Sequence, residues 1–231
     1  MNKFIKAITA IVLRMFVAVG CNKPNEPIDH SGTLNGHDYV DLALPSGTLW
    51  ATCNVGAETP EGYGDYFAWG ETRTKDNFEW STYQYAINSM CSLIKYCSDV
   101  NYGYEGFTDT LTFLLPEDDA AIVNLGAGFR IPSEKEWEEL YQNTTSIWTS
   151  KNGVNGRLFT ASNGNSIFLP AAGFRHGYEL VNDGSKGHYW SNKILIDLPH
   201  YVRGFNFTSG ACYMGEDGRL YGLSVRPVCS V

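Results

Sequence analysis

The last eleven residues of the chain, "YGLSVRPVCSV" at positions 221–231, have the pattern of a short β-strand. Leu223 and Val225 alternate with polar residues, so the strand has one apolar face that needs a core to pack against. Pro227 has no backbone N–H and therefore interrupts the hydrogen-bond ladder shortly before Cys229. A strand at the end of a chain needs a partner strand, and we expect that partner near the other end of the domain.

A second alternating stretch, "TLWATCNVG" at positions 48–56, is the expected partner. Its apolar residues share one face with Cys53, and Cys229 lies on the apolar face of the last strand. Pairing of the first and last strands places both cysteines inside and closes the chain into one domain. Cys53 and Cys229 are therefore the candidate pair for a disulfide, provided that the cross-strand geometry allows the bond.

Composition and charge narrow the classes of function. The 231 residues and the 43% hydrophobic content are enough for one domain with a substantial core. The net charge at pH 7 is −8, and no cluster of Lys or Arg follows residue 21, which argues against nucleic-acid binding. The cysteines form no CxxC motif, and the histidines lie in separate segments. We therefore expect no metal site and no cofactor.

Positions 1–21 differ in composition from the rest of the chain. Lys3 and Lys6 precede an apolar run that ends in small residues and Cys21, which resembles the signal of bacterial lipoproteins. An arginine inside the run leaves no apolar segment of the ~20 residues that a membrane-spanning helix needs. We expect lipidation of Cys21, a polar tether at 22–33 and export to the outer membrane, on either its cell-surface or its periplasmic face.

The remaining positions, 34–231, have the pattern of a single α+β domain. One helix is predicted within 115–128, where Pro116 and three acids form the first turn, and a second within 130–143, which starts at the capping box of Ser133 and Glu136. Short antiparallel strands surround them, among them a hairpin at 156–170 with an Asn–Gly turn. The Gly-, Tyr- and Trp-rich stretch at 56–110 lacks periodicity, and its many rings predict long ordered loops.

Five blocks of the sequence occur in the order found in a known family. They are "VDLALPSGTLWATCNVGAETPEGYGDYFAWGET" at 40–72, "FRIPSEKEWEEL" at 129–140, "NGNSIFLPAAGFR" at 163–175, "YWSN" at 189–192 and "YGLSVRPV" at 221–228. From about Asn35 to Cys229 the chain resembles lipoproteins of the Fibrobacter succinogenes major paralogous domain family. This resemblance implies a C-type-lectin-like fold, shared with formylglycine-generating enzymes, in which the first and last strands pair.

In one branch of this lectin-like scaffold, diversity-generating retroelements rewrite the segment between the "YWS" block and the final strand. The corresponding segment here is 192–222. The resemblance therefore implies ligand contacts from its polar and aromatic residues, namely Asn192, Asp197, His200, Tyr201, Arg203, Tyr213, Asp217, Arg219 and Tyr221. Exposed Tyr, His and Arg side chains on a rigid frame suit recognition without calcium.

The expected function is that of a cell-envelope binding module that recognises a protein or a glycan, with the membrane contacted through the lipid anchor alone. Two alternatives stay open. One is a structural or fimbrial accessory protein of the envelope. The other is an enzyme related to formylglycine generation, in which Cys212 and Cys229 react. We expect no catalytic residues, because Cys229 lies on the inward face of a strand and reactive thiols need an accessible setting.

Overall fold

The computed structural model describes residues 31–230, so the predicted signal, the lipidation site and most of the predicted tether lie outside the described residues. The strands are β1 (Gly32–Leu34), β2 (His37–Val40), β3 (Leu49–Ala51), β4 (Tyr66–Phe67), β5 (Phe129–Arg130), β6 (Thr144–Lys151), β7 (Val154–Ala161), β8 (Ser166–Pro170), β9 (Phe174–His176), β10 (Glu179–Val181), β11 (Gly187–Tyr189), β12 (Tyr201–Phe207), β13 (Cys212–Gly218), β14 (Leu223–Ser224) and β15 (Val228–Cys229). The α-helices are α1 (Ala120–Leu125) and α2 (Glu134–Asn143), and 3-10 turns occur at Trp80–Thr82, Tyr104–Gly106 and Pro116–Asp118. The predicted α+β class is confirmed, since most strand pairs are antiparallel and the helices are few.

The last strand lies inside the first sheet, whose order is β1-β2-β3-β15-β5. β15 pairs antiparallel with β3 and with β5, and Cys229 is opposite Leu49 and Phe129. The N–H of Val55 donates to the carbonyl of Val225 at 2.9 Å, which extends the contact beyond the strands. The predicted joining of the two ends of the domain is confirmed. The partner is the third strand rather than the first, because the β1–β2 hairpin precedes it.

The segment predicted to bind a ligand is built around the second sheet, whose order is β13-β12-β11-β14-β4. β12 and β13 form a hairpin in which Val202 pairs with Asp217 and Asn206 with Tyr213. Only the pair of β11 and β14 is parallel in this sheet. The third sheet, β6-β7-β8, contains the predicted hairpin between β7 and β8, and β9 and β10 form a separate hairpin.

The second helix begins as predicted, whereas the first begins later. In α2, Ser133 Oγ accepts from the N–H of Glu136, and the Glu136 carboxylate accepts from the N–H of Ser133. The sequence predicts the first helix from Pro116, but α1 starts at Ala120, after a 3-10 turn. Asp119 caps α1, since its side chain accepts hydrogen bonds from the N–H groups of Ala121 and Ile122. Neither helix in the described part of the chain has the length and hydrophobicity to cross a membrane.

Strand β12 separates two apolar clusters. Its alternating residues place Val202 in one cluster and Phe205 and Phe207 in the other. Helix α2 closes the second cluster, where the ring of Trp137 stacks on Phe205 with 4.7 Å between centroids. One face of the β12–β13 hairpin is therefore covered by α2. The opposite face packs against the first cluster at Val202.

No disulfide is present among residues 31–230, and Cys53 and Cys229 are both free thiols. The predicted bond between them is not formed, and the register explains why. Cys229 is opposite Leu49, whereas Cys53 lies beyond the end of β3 at Ala51. Burial raises the pKa of the Cys229 thiol to about 11, which makes this thiol unreactive at neutral pH.

Candidate functional site

The predicted ligand residues of segment 192–222 do not form one exposed surface. His200 and Asp217 are each 7% exposed and Arg219 is 0% exposed, so these side chains are internal. The others are either exposed, as are Asp197 and Tyr213, or partly buried, as are Asn192, Tyr201, Arg203 and Tyr221. The expectation that these side chains are exposed is therefore wrong for the three internal residues. Two of them organise loops, and Asp217 belongs to a buried polar cluster.

The buried side chain of Arg219 joins two loops through hydrogen bonds to their backbone carbonyls. Its Nη1 donates to the carbonyl of Tyr96 at 3.0 Å and to that of Pro199 at 3.1 Å. Its Nη2 donates to the carbonyl of Lys95 at 3.1 Å, and its Nε donates to the hydroxyl of Tyr83 at 2.9 Å. Aromatic rings surround the rest of the guanidinium, which stabilises its charge. Arg219 therefore holds the loops in position and has no free donor face for a ligand.

His200 packs between two tyrosine rings where the same loops meet. Its ring centroid is 4.5 Å from that of Tyr102, which stacks on it, and 4.4 Å from that of Tyr201. Burial, together with the positive charge of Arg219, lowers the pKa of His200, so the ring is neutral at physiological pH. The imidazole of His200 thus packs against aromatic rings in the interior.

Two aspartates fix the long loop that precedes α1. Asp118 accepts hydrogen bonds from the hydroxyls of Tyr85 and Tyr96 and, at 2.5 Å, from Nζ of Lys95. Burial alone would raise the pKa of Asp118, but these three hydrogen bonds together outweigh burial and lower the pKa. Asp109 accepts from backbone N–H groups of the same loop, including that of Tyr96 at 2.8 Å. The sequence pattern indicates Asp118 only as a favourable charge near a helix start.

The loops held in this way expose several large apolar side chains, and two contacts join the stretches that carry them. Ser98 Oγ donates to the carbonyl of Ile196 at 2.5 Å, and an isolated β-bridge joins Phe113 to Lys193. We call the resulting area, formed by positions 94–113 and 193–198, the loop surface; its exposed large apolar members are Ile94, Val100, Tyr104, Phe107, Phe113, Ile196 and Leu198. Val100, Ile196 and Phe113 are 57%, 52% and 51% exposed. Only the first loop of the predicted segment contributes to this surface.

The unpaired charges of the loop surface are mainly acidic. Glu105 and Asp197 are exposed within its two stretches. The charge of Lys95 is compensated by Asp118, with 2.5 Å between Nζ and Oδ2. Nζ of Lys193 lies 5.0 Å from the centroid of the Phe113 ring, a distance at which a cation is attracted to an aromatic face. The surface therefore combines apolar side chains with a negative balance of free charge.

A polar cluster lies on the face of β11, β12 and β13 that α2 does not cover. We call it the sheet-face cluster, and its members are His188, Asn206 and Asp217. Asp217 accepts from Nδ2 of Asn206 at 2.9 Å, and its other oxygen is 3.2 Å from Nδ1 of His188. All three residues are more than nine-tenths buried. Nε2 of His188 and Oδ1 of Asn206 nevertheless have no hydrogen-bond partner within residues 31–230, and such buried atoms are rare.

Aromatic rings border the sheet-face cluster. The ring centroid of Phe174 lies 5.0 Å from that of His188 and 5.3 Å from that of Tyr221. Burial is the main reason why the pKa of Tyr221 is raised, and the nearby charge of Asp217 adds to the effect. Tyr213, which pairs with Asn206 across the strands, is 43% exposed. The predicted residues Tyr213, Asp217 and Tyr221 are thus brought together here.

Two predicted residues join neither area. Nε of Arg203 lies 3.7 Å from an oxygen of Glu134 at the start of α2, on the face that the helix covers. Asn192 forms backbone hydrogen bonds: its N–H donates to Pro132, and its carbonyl accepts from Leu114. The backbone of Asn192 is thus held by the framework, and the side chain of Arg203 lies beside the start of α2.

Cys212, Cys229 and the groove beside Cys53 lie apart from the loop surface and the sheet-face cluster. Cys212 and Cys229, the pair considered for formylglycine chemistry, lie in different sheets, and burial raises the pKa of both thiols. A groove of about 550 Å³ is lined by His37, Asp38 and Cys53 among others, and by none of the predicted ligand residues. Residues 31–230 contain no group of His, Cys, Asp and Glu side chains arranged to hold a metal ion.

Comparisons of the chain with protein-family models, with curated proteins and with solved structures find no match. The function of this chain is therefore inferred from its own geometry. Two areas bear on it: the loop surface, which is exposed and apolar, and the sheet-face cluster, which is buried and polar.

Proposed function

We propose that this protein is a binding module of the bacterial cell envelope that recognises a protein partner through the loop surface, on a scaffold of C-type-lectin-like fold. Lipid on Cys21 anchors it at the outer membrane, and the polar stretch at 22–33 separates the domain from the lipid. The joined ends of the domain and the long ordered loops between short strands support this choice of scaffold.

The observation that carries the proposal is the exposure of large apolar side chains on loops that are fixed from the inside. Contiguous exposed apolar surface is uncommon on soluble monomers and marks sites of interaction. Loops that become ordered only on binding lose conformational entropy and therefore affinity. Here Arg219, Asp118 and Asp109 already hold the loops, so that loss is small. The loop surface is thus preorganised for a partner.

The chemistry of the surface indicates the class of partner. Sugar hydroxyl groups require several converging polar side chains, whereas the exposed members of the loop surface are mostly apolar. A protein partner that presents apolar side chains to Val100, Phe113 and Ile196 fits these residues better than a sugar does. The free acids Glu105 and Asp197 and the net charge of −8 favour a partner with Lys or Arg around those apolar side chains.

Site-specific photocrosslinking in intact cells tests this proposal. A photoreactive amino acid replaces Phe113 in the loop surface or, as a matched control, Ile147 in β6, which is 52% exposed. We expect one protein to be crosslinked from position 113 and not from position 147. The purified partner should then bind the variant Val100→Ser/Phe113→Ser/Ile196→Ser roughly tenfold or more weakly than wild type, since apolar anchors dominate interface energies.

Crosslinking of the same proteins from both positions, or unchanged binding of the triple variant, would contradict the proposal. The control variant Ile147→Ser should bind like wild type. A partner that is crosslinked from position 113 but never dissociates, and that is always present in a fixed ratio, would instead indicate the structural accessory role.

A further inference from the structure

We propose that Cys53 is a site of covalent modification by a small disulfide that carries an ammonium group, and that the groove beside Cys53 holds this molecule. The groove lies apart from the loop surface, and the inference does not depend on the proposed function. Three features support it: the volume of the groove, the access of the thiol to the groove and the charges of the side chains that line it.

The groove has the size of a small-molecule site, and backbone hydrogen bonds hold its lining in place. Its volume of about 550 Å³ lies within the ~300–1,000 Å³ that is typical of ligand pockets. The stretch 51–58 forms one wall, in which the N–H of Thr52 donates to the carbonyl of Asp38 at 3.0 Å. The N–H of Asp65, another lining residue, donates to the carbonyl of Val55 at 2.8 Å. The segments that line the groove are thus bonded to one another, and a ligand meets a preformed site.

Cys53 is the cysteine that lines this groove. It is a free thiol on a partly exposed residue, and its Sγ lies 3.6 Å from the hydroxyl oxygen of Thr52. Three other thiols are disfavoured as nucleophiles, because burial raises the pKa of Cys97, Cys212 and Cys229 and so favours the protonated form. Cys53 is therefore the thiol that a molecule in the groove can reach.

A buried cation contacts the wall that contains Cys53. Arg226 is 0% exposed and donates hydrogen bonds to the carbonyls of Ala51 and Thr52, both of which belong to this wall. Burial lowers the pKa of Arg226, and the negative charges of ionised Tyr189 and Cys53 act in the opposite direction, which places Cys53 within electrostatic reach of the guanidinium. A neighbouring cation favours the thiolate, and the thiolate is the form that attacks a disulfide.

The charges that line the groove are acidic. Glu58 and Asp65 are exposed, and neither forms an ion pair within residues 31–230. Asp38 adds a third carboxylate, and His37 and the thiol are the other titratable groups of the lining. No Lys or Arg of the described chain lines the groove. A cleft lined by charges of one sign concentrates ligands of the opposite sign, so the groove attracts an ammonium group and repels a carboxylate.

One of these carboxylates is held against the wall by a glycine. Gly56 follows Cys53 by three residues and has a φ of +80°, a conformation that favours glycine. A Cβ atom at Gly56 would lie 2.4 Å from Oδ2 of Asp65, so a larger residue would displace the carboxylate. The local sequence thus keeps a negative charge beside the stretch that contains the thiol.

The reaction is a thiol–disulfide exchange. The thiolate of Cys53 attacks one sulfur atom of the small disulfide, whose S–S bond breaks as a new S–S bond forms at Cys53. The other half of the molecule leaves as a thiolate and takes a proton from water. The small disulfide is itself the oxidant, so the step needs no further reactant. The ammonium group of the retained half then remains near the acids of the groove.

Small disulfides of similar length and different charge test the proposal on the full chain in detergent. Cystamine carries ammonium groups, 3,3′-dithiodipropionate carries carboxylates and bis(2-hydroxyethyl) disulfide is neutral. Mass spectrometry of peptides measures the rate of adduct formation at Cys53 and, as a matched control, at Cys91, which is exposed and does not line the groove. We expect the ratio of the cystamine rate to the dithiodipropionate rate to be roughly tenfold or more higher at Cys53 than at Cys91, with the neutral reagent between them.

Competition by a cation without sulfur tests whether the groove binds the reagent. At constant ionic strength, excess putrescine should slow the reaction of cystamine with Cys53 and leave that with Cys91 unchanged. Equal charge preference at the two cysteines, or no protection of Cys53 by putrescine, would overturn the proposal.

The variant Glu58→Gln/Asp65→Asn keeps the shape of the groove and removes two of its charges, so we expect it to lose most of the preference of Cys53 for cystamine. Asp76→Asn/Glu179→Gln changes the net charge equally at exposed acids that do not line the groove, and it should react like wild type. An unchanged preference in Glu58→Gln/Asp65→Asn would also contradict the proposal. The comparison of reagents uses the wild-type chain and stays decisive even if this variant does not fold.

Discussion

Two arginines, Arg226 and Arg219, are both 0% exposed, yet they hold different parts of the molecule together. Arg226 donates to the backbone carbonyls of Ala51, Thr52 and Phe168, and so ties the last strand to the first and third sheets. Arg219 donates to carbonyls of the two loops that form the loop surface. Neither arginine forms an ion pair with a carboxylate in the described part of the chain.

A buried guanidinium group therefore has different roles in the β-sheets and in the loop surface. A guanidinium has five N–H donors and satisfies carbonyls from segments that are far apart in sequence. Around Arg226 those segments are strands that backbone ladders already pair. Around Arg219 they are loops with few backbone hydrogen bonds between them. We therefore expect removal of Arg226 to affect the whole domain and removal of Arg219 to affect mainly the loops.

Replacement of Arg226 by methionine should have the largest effect. The change leaves the carbonyls of Ala51, Thr52 and Phe168 and the Oδ1 of Asn54 without their donor in the interior. We expect the free energy of unfolding to fall by about 3–5 kcal/mol, measured by urea denaturation. Arg73→Met, at an exposed arginine, is the control and should change it by no more than about 0.5 kcal/mol. A similarly small loss for Arg226→Met would show that the body does not need the guanidinium.

Replacement of Arg219 by methionine should cost about 2–3 kcal/mol, because fewer of the freed carbonyls stay buried once the loops move. Hydrogen exchange measures where the loss occurs. We expect the amides at 93–110 and 195–200 to lose protection, while those of β3 and β15 keep theirs. Uniform loss of protection over the domain would show that Arg219 does not stabilise the loops independently of the sheets.

The strands and turns of the body could be predicted from the sequence because their signals are local. The alternation around Ala51 and Val225, the capping box of α2 and the Asn–Gly turn each depend on a few adjacent residues. The register of β15, in contrast, does not depend on adjacent residues. Whether Cys229 is opposite Leu49 or Cys53 depends on how two sheets and the β1–β2 hairpin pack, and no adjacent residue specifies it.

The candidate site could be predicted much less well, because its polar residues are buried. Sequence patterns place Arg, His and Asp outside, and this rule is wrong for Arg219, His200 and Asp217, whose partners come from distant segments. One signal was available for the sheet-face cluster: in "GFNF" at 204–207, Asn206 alternates with two phenylalanines and therefore points to the opposite face. The exposed apolar residues of the loop surface give no periodic signal at all.

A third arginine, Arg130, is partly exposed and differs from the other two because it pairs with a carboxylate that can titrate. Arg130 donates to Glu136 through both terminal nitrogens, at 2.8 and 2.5 Å, and joins β5 to α2. Burial alone would raise the pKa of Glu136, but hydrogen bonds from Arg130 and Ser133 lower it to about 2, against 4.5 for an unperturbed glutamate. A group with a lowered folded-state pKa contributes stability above the unfolded value and loses it as the pH falls through the folded value.

We therefore expect the contribution of Glu136 to be complete above pH 4.5 and to disappear towards pH about 2. Glu136→Gln should lower the free energy of unfolding at neutral pH by about 1–3 kcal/mol and flatten the acid limb of stability against pH. Urea denaturation across this pH range measures both, with Glu138→Gln as control. An unchanged acid limb in Glu136→Gln would show that other carboxylates, such as Asp118, dominate it.

The smallest effect is expected at Cys53, and it tests whether hydrogen bonds alone join the ends of the domain. Cys53→Ser should change the free energy of unfolding by no more than about 0.5 kcal/mol, and added reductant should leave the wild type unchanged. Cys229→Ser, which places a hydroxyl at a 2% exposed position, should cost about 1–3 kcal/mol with or without reductant. If reductant instead destabilised wild type by the ~2–4 kcal/mol typical of a disulfide, a covalent bond would share the closure with Arg226. The contrast between the two arginines would then reflect a cross-link in the body as well as the guanidinium contacts.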